Sequence, residues 1–282
     1  MVRRLLRDIS VVILCAATIC CGRVQKERDA GEVATARVDY AALHYWDSYD
    51  FSSCGSSHDS LVMENAFSVY VSLLAETETS HREAAVDSLL VRVERYKEGY
   101  ELINDMAWRY LDDPNSPFRD EDTFIIFLRH AVQSQVLPEE VRMRARYRLD
   151  QAMMNRPGMA AAGFPLTTRE GVRMDFRDVI MGDTTLVMFY DPDCDQCKKI
   201  SRELSRTPLP ATLKIVGVDV VGDRLFWEKT KWNFPADWVV CFAEISLEDE
   251  EIYHFMALPT FYMYDKEGCI ILKDPSPSLL FE

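Results

Sequence analysis

The chain has 282 residues, of which 48% are hydrophobic, and this is enough apolar sequence for two domains that each bury a core. Its formal net charge is −14 at pH 7, and no stretch interleaves Lys and Arg with aromatic residues. Nucleic acid is therefore not expected among its partners. The excess of acidic residues is expected chiefly to keep the protein soluble.

Residues 1–21 have the pattern of a targeting segment. Three arginines stand near the start, and the apolar run from Ile9 to Cys20 is too short to span a membrane comfortably. The segment resembles a bacterial lipoprotein signal, in which a cysteine becomes the lipidated first residue. Cys21 fits that role better than Cys20, because a small residue precedes it; an ordinary cleaved signal and an uncleaved anchor are the alternatives. Each reading implies a cell-envelope, periplasmic protein, and the first adds a lipid anchor in a membrane.

Residues 22–38 are predicted to be a flexible tether. They lack apolar periodicity and carry charges of both signs. The folded part of the chain is therefore expected to begin at residue 39, in a compartment where disulfides persist.

Residues 39–156 are predicted to form a domain built only of helices. Apolar residues recur three and four positions apart, as on one face of a helix, in two long stretches. These two stripes consist of Met63, Ala66, Phe67, Tyr70 and Leu74, and of Val86, Leu89, Leu90 and Val93. A break at residues 113–117 precedes Asp120, which is expected to cap the next helix.

The last helix of this domain carries four arginines at alternate positions, Arg142, Arg144, Arg146 and Arg148. This spacing predicts a broad basic surface. A solvated face, or one paired with acids of the same domain, is one interpretation, and an anion or partner site is the other. The histidines of the domain stand singly, so no metal site is expected there.

Three segments of this region, residues 44–51, 111–120 and 155–159, are similar to a helical domain of unknown function. That domain precedes a thioredoxin-like domain in lipoproteins of gut Gram-negative bacteria. The resemblance implies an architecture, and it implies no mechanism.

A Cys-x-x-Cys pair, Cys194 and Cys197, is the motif most specific for chemistry. It follows an apolar run at residues 185–190 that predicts a buried strand, and it precedes residues 198–205, whose apolar residues have helical spacing. The cysteines therefore lie where a strand passes into a helix. The N–H groups and dipole at that helix start stabilise a thiolate on the first cysteine, and the spacing allows a disulfide.

Redox chemistry is preferred over the other uses of such a pair. A structural zinc site needs two more ligands at metal spacing, and Cys241, Cys269 and His254 are scattered singly. A chance pair of core cysteines does not suit flanking Asp and Lys on a predicted exposed turn. A peroxidase usually has Thr three residues before its cysteine, where this chain has Asp191. No metal and no cofactor is expected, since sulfur alone does this chemistry.

The downstream segments are predicted to alternate between strands and helices. Strands are expected at residues 213–220 and 238–242, and helices at residues 223–231 and 248–256. Residues 257–272 read as two strands joined by a Gly-containing turn, with Pro259 at the start of the first strand.

The segment 157–282 resembles a thioredoxin-like domain of the periplasmic thiol–disulfide oxidoreductase type. Pro259 matches the cis proline that packs against the Cys-x-x-Cys pair in that family. The resemblance implies α + α/β architecture for the chain, with an all-α domain followed by a central mixed sheet flanked by helices. No residue confidently matches the buried carboxylate that assists the second cysteine in many relatives.

The resemblance also implies roles for named residues. Cys194 would attack a protein disulfide or accept attack when oxidised, and Cys197 would resolve the mixed disulfide. Three consecutive residues, Leu258, Pro259 and Thr260, would shape a groove for the substrate chain. Three charged neighbours, Asp193, Asp195 and Lys198, would tune the acidity of the sulfur.

The sequence therefore predicts an envelope thiol–disulfide oxidoreductase that exchanges electrons with protein thiols and with a redox partner protein. The alternative is a surface lipoprotein whose thioredoxin-like fold is a non-catalytic scaffold or binding module. Whether the Cys194–Cys197 pair cycles between thiol and disulfide distinguishes the two.

Overall fold

The computed structural model describes residues 35–53 and 57–275. These residues form two compact units, of which the first ends at Ala152 and the second begins at Met153. The predicted leader with Cys21, and most of the predicted tether, lie outside the described residues. None of the helices within the described ranges is long and apolar enough to cross a membrane.

The first unit, called the helical unit below, contains only helices among its described elements. They are α1 (residues 35–44), α2 (Ser57–Glu76), α3 (Thr79–Val93), α4 (Lys97–Ala107), α5 (Glu121–Gln133) and α6 (Glu139–Ala152). A 3-10 turn at Phe51–Ser53 follows α1, and a π-helical turn at Trp108–Asp112 extends α4. Both predicted apolar stripes face one shared core. All of their residues are buried there except Ala66, which is partly buried. This confirms the all-helical architecture.

The tether prediction is wrong over its last four residues. Residues 35–38 belong to α1, and the stripe Val38, Ala42 and Trp46 has the spacing of one helix face. Ala42 and Trp46 are buried in the core. Burial of this stripe stabilises a helix where the preceding sequence shows no periodicity.

Asp120 caps α5 as predicted. Its carboxylate accepts the N–H of Thr123 at 3.1 Å, three residues into the helix. The same carboxylate accepts a hydrogen bond from Arg82 of α3 at 3.0 Å. The cap therefore also ties two helices of the core together.

Only part of the basic surface predicted for α6 is exposed, because Arg144 and Arg146 lie on the surface and Arg148 does not. Arg148 is only 4% exposed, and its guanidinium pairs with Asp112 at 2.8 Å and with Glu121 at 3.2 Å. Ala145 and Ala152, three and four residues away, are buried on the same side of the helix. The inner face of α6 thus includes one arginine, which pairs with acids of the same domain.

The second unit, called the sheet unit below, is built on a seven-stranded mixed sheet. Its strands are β1 (Pro165–Thr168), β2 (Arg173–Asp175), β3 (Thr184–Tyr190), β4 (Leu213–Asp219), β5 (Val239–Ala243), β6 (Thr260–Tyr264) and β7 (Ile270–Lys273). Its helices are α7 (Phe176–Ile180), α8 (Asp195–Arg206) and α9 (Arg224–Thr230). The strand order is β2-β1-β5-β4-β3-β6-β7, in which β3, β4 and β5 are parallel and the other pairs are antiparallel. A mixed sheet flanked by helices confirms the predicted fold class.

Strand β3 lies at the centre of the sheet and is covered on both faces. Leu186, Met188 and Tyr190 point to the face that carries α8, and Val187 and Phe189 point to the opposite face. This explains why the strand reads as a continuous apolar run instead of an alternating one. Its carboxyl end delivers the chain to the cysteines.

The helix predicted at residues 248–256 is wrong. The chain makes only turns there, with the N–H of Glu251 bonded to Glu248 at 3.0 Å and the N–H of Ile252 bonded to Leu247 at 2.8 Å. Glu251 has a φ of 52°, in the left-handed region, which ends any helix at that point. Two residues further on, Tyr253 is fully buried, so the chain turns inward instead of continuing along the surface.

Candidate redox site

The two cysteines of the motif lie at the carboxyl end of the central strand, where β3 passes into α8. A short turn makes this connection, because Asp191 accepts the N–H of Asp193 on its side chain at 2.7 Å and the N–H of Cys194 on its carbonyl at 3.3 Å. In α/β sheets the carboxyl ends of the strands are the usual place for a site.

Cys194 is the N-cap residue of α8. Its sulfur accepts the N–H of Cys197 at 3.2 Å, the bond that a capping side chain makes three residues into a helix. That N–H and the helix dipole favour negative charge on the sulfur. Cys194 is also partly exposed, so an external sulfur can approach it.

Cys197 lies behind Cys194 and is only 2% exposed. Burial raises the pKa of its thiol, while a hydrogen bond from the backbone N–H of Asp191 opposes that rise. The pair is therefore asymmetric, with an accessible first sulfur and a second sulfur that stays protonated until something removes its proton.

The predicted groove segment contacts Cys194 through its first residue, Leu258. The thiol of Cys194 donates to the carbonyl of Leu258 at 3.7 Å, across 64 positions of sequence. The Leu258–Pro259 peptide bond is cis, as the resemblance implied. Thr260 is buried and begins β6, where it lies opposite Phe189 of β3. The fold thus brings the Cys-x-x-Cys pair and the proline segment together.

The charged neighbours of Cys194 are on the surface. The side chains of Asp193 and Asp195 are 82% and 101% exposed, and Lys198 lies 3.3 Å from the first and 3.6 Å from the second. Partial desolvation opposes the charge of Lys198, but its contacts with these acids outweigh this and raise its pKa. Since solvent screens exposed charges, the influence of these acids on the sulfur is small.

Asp219, at the end of β4, is a titratable residue near this site that the sequence reasoning missed. It lies opposite Tyr190 in the sheet and is fully buried. Burial raises the pKa of its carboxyl to about 6, although the N–H of Val221 donates to it at 2.9 Å. Its position as an acid inside the apolar run Val216 to Val220 was the available signal.

The two single cysteines of the sheet unit lie apart from the pair in the structure. Cys241 is buried in β5 on the opposite face of the sheet, where burial raises its thiol pKa to about 12. Cys269 is partly buried beside β7. Neither belongs to a group of potential metal ligands among the described residues.

One group of possible metal ligands occurs in the part of the chain that the structure describes. Asp39, Glu78 and His81, of the helical unit, have ligand atoms within 4.8 Å of one another. Asp39 accepts the N–H of Glu78 at 3.0 Å and lies 2.8 Å from the ring nitrogen of His81. These contacts are those of a side chain that caps and pairs at the start of α3, so they account for the group without an ion.

Comparison with solved structures identifies the class of protein. A thioredoxin-like protein from Bacteroides caccae is 26% identical, and the match covers 87% of this chain and 91% of that chain with a TM-score of 0.82. A conserved protein of unknown function from Bacteroides fragilis is 28% identical over 44% of this chain and 96% of that chain, with a TM-score of 0.41. The thioredoxin domain of a thiol-disulfide oxidoreductase from Bacteroides vulgatus is 21% identical over 45% of this chain and 93% of that chain, with a TM-score of 0.40. The first match carries the assignment of a thioredoxin-like fold.

The helical unit is identified by a family model. Residues 32–155 match the family described as a domain of unknown function, DUF5106. No curated protein matches the chain. The chain is thus a thioredoxin-like protein with a DUF5106 domain in its N-terminal half, and this confirms the two domain architectures that the sequence resemblances implied.

Proposed function

We propose that this protein is a thiol–disulfide oxidoreductase that uses Cys194 and Cys197. The observation that carries the proposal is the placement of the Cys194 sulfur. It lies between a helix N–H group, from Cys197, and the Leu258 carbonyl that precedes a cis proline. A partly exposed sulfur with a backbone N–H donor to stabilise its thiolate, backed by a second buried sulfur, is the arrangement that disulfide exchange requires.

The reaction proceeds by two exchanges of sulfur. The Cys194 thiolate attacks one sulfur of a substrate disulfide, so that a mixed disulfide forms and the other substrate sulfur leaves as a thiolate that takes up a proton. Cys197 then loses its proton and attacks the Cys194 sulfur, which releases the second substrate thiol. The substrate gains two electrons and two protons, and the Cys194–Cys197 pair becomes a disulfide. A redox partner protein restores the pair by the same steps in reverse.

Protein segments are the proposed substrates, and the groove residues would hold them. Leu258, Pro259 and Thr260 lie beside Cys194 at the start of β6, so an extended chain can run alongside them and bring its sulfur to Cys194. Asp193, Asp195 and Lys198 would adjust the charge around the sulfur.

The proposal is tested by redox equilibration of the purified protein in thiol–disulfide buffers. We expect one reversible two-electron transition between about −100 and −300 mV, which is lost in Cys194→Ser and Cys197→Ser variants. The matched control is Cys269→Ser, which removes a partly exposed thiol outside the pair and should leave the transition unchanged. The Cys197→Ser variant should also accumulate mixed disulfides, which gel analysis without reductant detects.

An absent transition in the wild-type protein would contradict this function and favour the scaffold interpretation. In a scaffold, the Cys194→Ser variant would also keep every partner that the wild-type protein binds. A transition that persists in the Cys194→Ser variant would assign the redox chemistry to other cysteines.

The location proposed for this activity is the cell envelope, with a lipid anchor at Cys21. The supporting observation is the sequence pattern of residues 1–21. Metabolic labelling with a fatty acid in a bacterial host tests it. Cys21→Ser should abolish labelling, and Cys20→Ser should preserve it; labelling that follows Cys20 instead would move the anchor by one residue.

A further inference from the structure

A cavity of about 430 Å³ lies in the sheet unit next to Cys197. One wall is the face of α8 that carries Cys197, Ser201 and Arg202, and the other is formed by α9 and the segment after it, with Phe226 and Phe234. Tyr190, the last residue of β3, lines it, so the cavity lies at the carboxyl end of a strand, where parallel sheets usually bind ligands. Its volume is within the range of small-molecule sites, about 300–1,000 Å³.

The interior of the cavity is largely aromatic. Phe234 packs against Tyr190 with ring centroids 4.7 Å apart, and Phe226 and Pro192 complete the apolar lining. A ligand with a flat apolar body would gain both hydrophobic burial and ring contacts there.

Three charged side chains line the cavity, namely Lys198, Arg202 and Asp191. Lys198 is engaged by Asp193 and Asp195. Arg202 is different, because no carboxylate among the described residues pairs with it. Its Nε donates to the carbonyl of Lys198 at 2.9 Å, which orients the guanidinium and leaves its two terminal nitrogens to bind an anion.

Tyr190 contributes its ring to the apolar lining and offers a ligand no free polar group. It is 1% exposed, and the buried Trp227 is the side-chain hydrogen-bond partner of its hydroxyl. The charge that recognises a ligand is therefore that of Arg202.

We infer that this cavity binds a small organic monoanion, a carboxylate on a flat apolar body. The carboxylate lies against the Arg202 guanidinium, and the apolar body lies between Phe226 and Phe234. One guanidinium pairs with one carboxylate, and Asp191 in the same lining opposes a second negative charge. The site is distinct from the groove at Pro259, and it goes beyond the proposed disulfide exchange, because binding here uses no sulfur chemistry.

The test is a titration of the full chain with phenylbutyrate and with its neutral amide, followed by two-dimensional amide NMR. We expect phenylbutyrate to bind with a dissociation constant on the order of 1 mM, as its size allows, and to shift the amide signals of Cys197, Ser201 and Thr230. The neutral amide should bind about tenfold more weakly, since it cannot form the charged pair with Arg202.

Matched variants assign the two halves of the site. Arg202→Gln should weaken phenylbutyrate binding about tenfold and abolish the preference over the amide, whereas Arg206→Gln, one turn further along the same exposed face of α8, should change neither. Phe226→Ala should weaken both ligands, whereas its exposed neighbour Leu225→Ala should not. Arg202→Lys, which keeps the charge, should bind with intermediate strength.

Equal binding of the carboxylate and the amide to the wild-type protein would overturn the proposal, as would shifts confined to other parts of the chain or no binding up to about 20 mM. An Arg206→Gln effect as large as that of Arg202→Gln would overturn the role of Arg202. The titration of a Cys194→Ser variant separates this inference from the proposed function. That variant cannot form the disulfide, and it should bind phenylbutyrate as the wild-type protein does.

Discussion

Two buried ionisable side chains, Arg148 of the helical unit and Asp219 of the sheet unit, differ in that only Arg148 has an oppositely charged partner. Arg148 is 4% exposed and pairs with Asp112 and Glu121. Asp219 is fully buried, receives the N–H of Val221, and pairs with no cation of the described residues. Burial opposes both charges. At Arg148 the paired acids outweigh the effect of burial, and the pKa of the guanidinium is raised. At Asp219 the effect of burial is the larger one, and the pKa of the carboxyl rises to about 6.

This difference separates a structural charge from a functional candidate. A buried charge with partners holds helices in one arrangement and stays ionised at every physiological pH. A buried carboxyl without a counter-ion titrates close to neutrality, and such groups are concentrated at functional sites. Asp219 lies opposite Tyr190, the last residue of the strand that leads to the cysteines.

The largest expected effect comes from removing the partner in the helical unit. Arg148→Met leaves Asp112, which is 5% exposed, as an unpaired buried charge. We expect the free energy of unfolding to fall by about 3–5 kcal/mol, measured by urea denaturation followed by circular dichroism. Arg146→Met, on the exposed side of the same helix, is the control and should change it by about 0.5 kcal/mol or less. Equal effects of the two variants would show that Arg148 is not a structural charge.

A pH-dependent effect is expected from removing the unpaired charge in the sheet unit. The folded-state pKa of Asp219, about 6, lies above the ordinary value of 3.8, so the folded state holds the proton more tightly than the unfolded state does. Ionisation therefore costs stability as the pH rises through 4 to 6, and the cost is complete above that window. Over this range the free energy of unfolding of the Asp219→Asn variant should rise relative to that of the wild-type protein, by up to about 3 kcal/mol.

The measurement is urea denaturation of both proteins at several pH values between 4 and 8. Subtracting the free energy of unfolding of one protein from that of the other cancels the contributions of every other titrating group. Asp223→Asn is the matched control, because Asp223 caps α9 by accepting the N–H of Phe226 at 3.0 Å and Asn caps equally well. A difference between wild type and Asp219→Asn that is constant with pH would mean that Asp219 titrates normally.

The smallest expected effect concerns the exposed acids beside the first cysteine. Removing both charges, in an Asp193→Asn, Asp195→Asn double variant, favours the thiolate and so raises the reduction potential of the pair. Because both side chains are exposed and share Lys198, we expect a change of about 1 kcal/mol or less, equivalent to about 20 mV. Redox equilibration measures it, with Glu203→Gln on the same helix as the control. A shift several times larger would mean that surface acids control the sulfur.

Local patterns predicted most of the elements well. The strand expected at residues 185–190 is Thr184–Tyr190, and the helix expected from residue 198 is Asp195–Arg206. These predictions succeeded because apolar runs, periodicity and turn residues act between neighbours in the chain. The prediction at residues 248–256 failed because the buried Tyr253 draws the chain inward, which depends on contacts with distant residues.

The candidate site was predictable only in part for the same reason. The spacing of Cys194 and Cys197 and the position of Pro259 are visible in the sequence. The contact of Cys194 with Leu258 joins positions 64 residues apart, and it exists only because β3 and β6 are neighbours in the sheet. The cavity at Arg202 likewise needs α8 and α9 side by side.

The sequence by itself determined most of the helices and strands, the two architectures and the Cys-x-x-Cys spacing of Cys194 and Cys197, because these follow from residue types and their spacing. The tertiary structure alone decided which charges are buried and what surrounds them. Arg148 and Arg146 are two residues apart and of the same type, yet one is enclosed by two acids and the other is exposed. The free energy of a charge depends on solvent and on partners brought from elsewhere in the chain, and no local pattern records these.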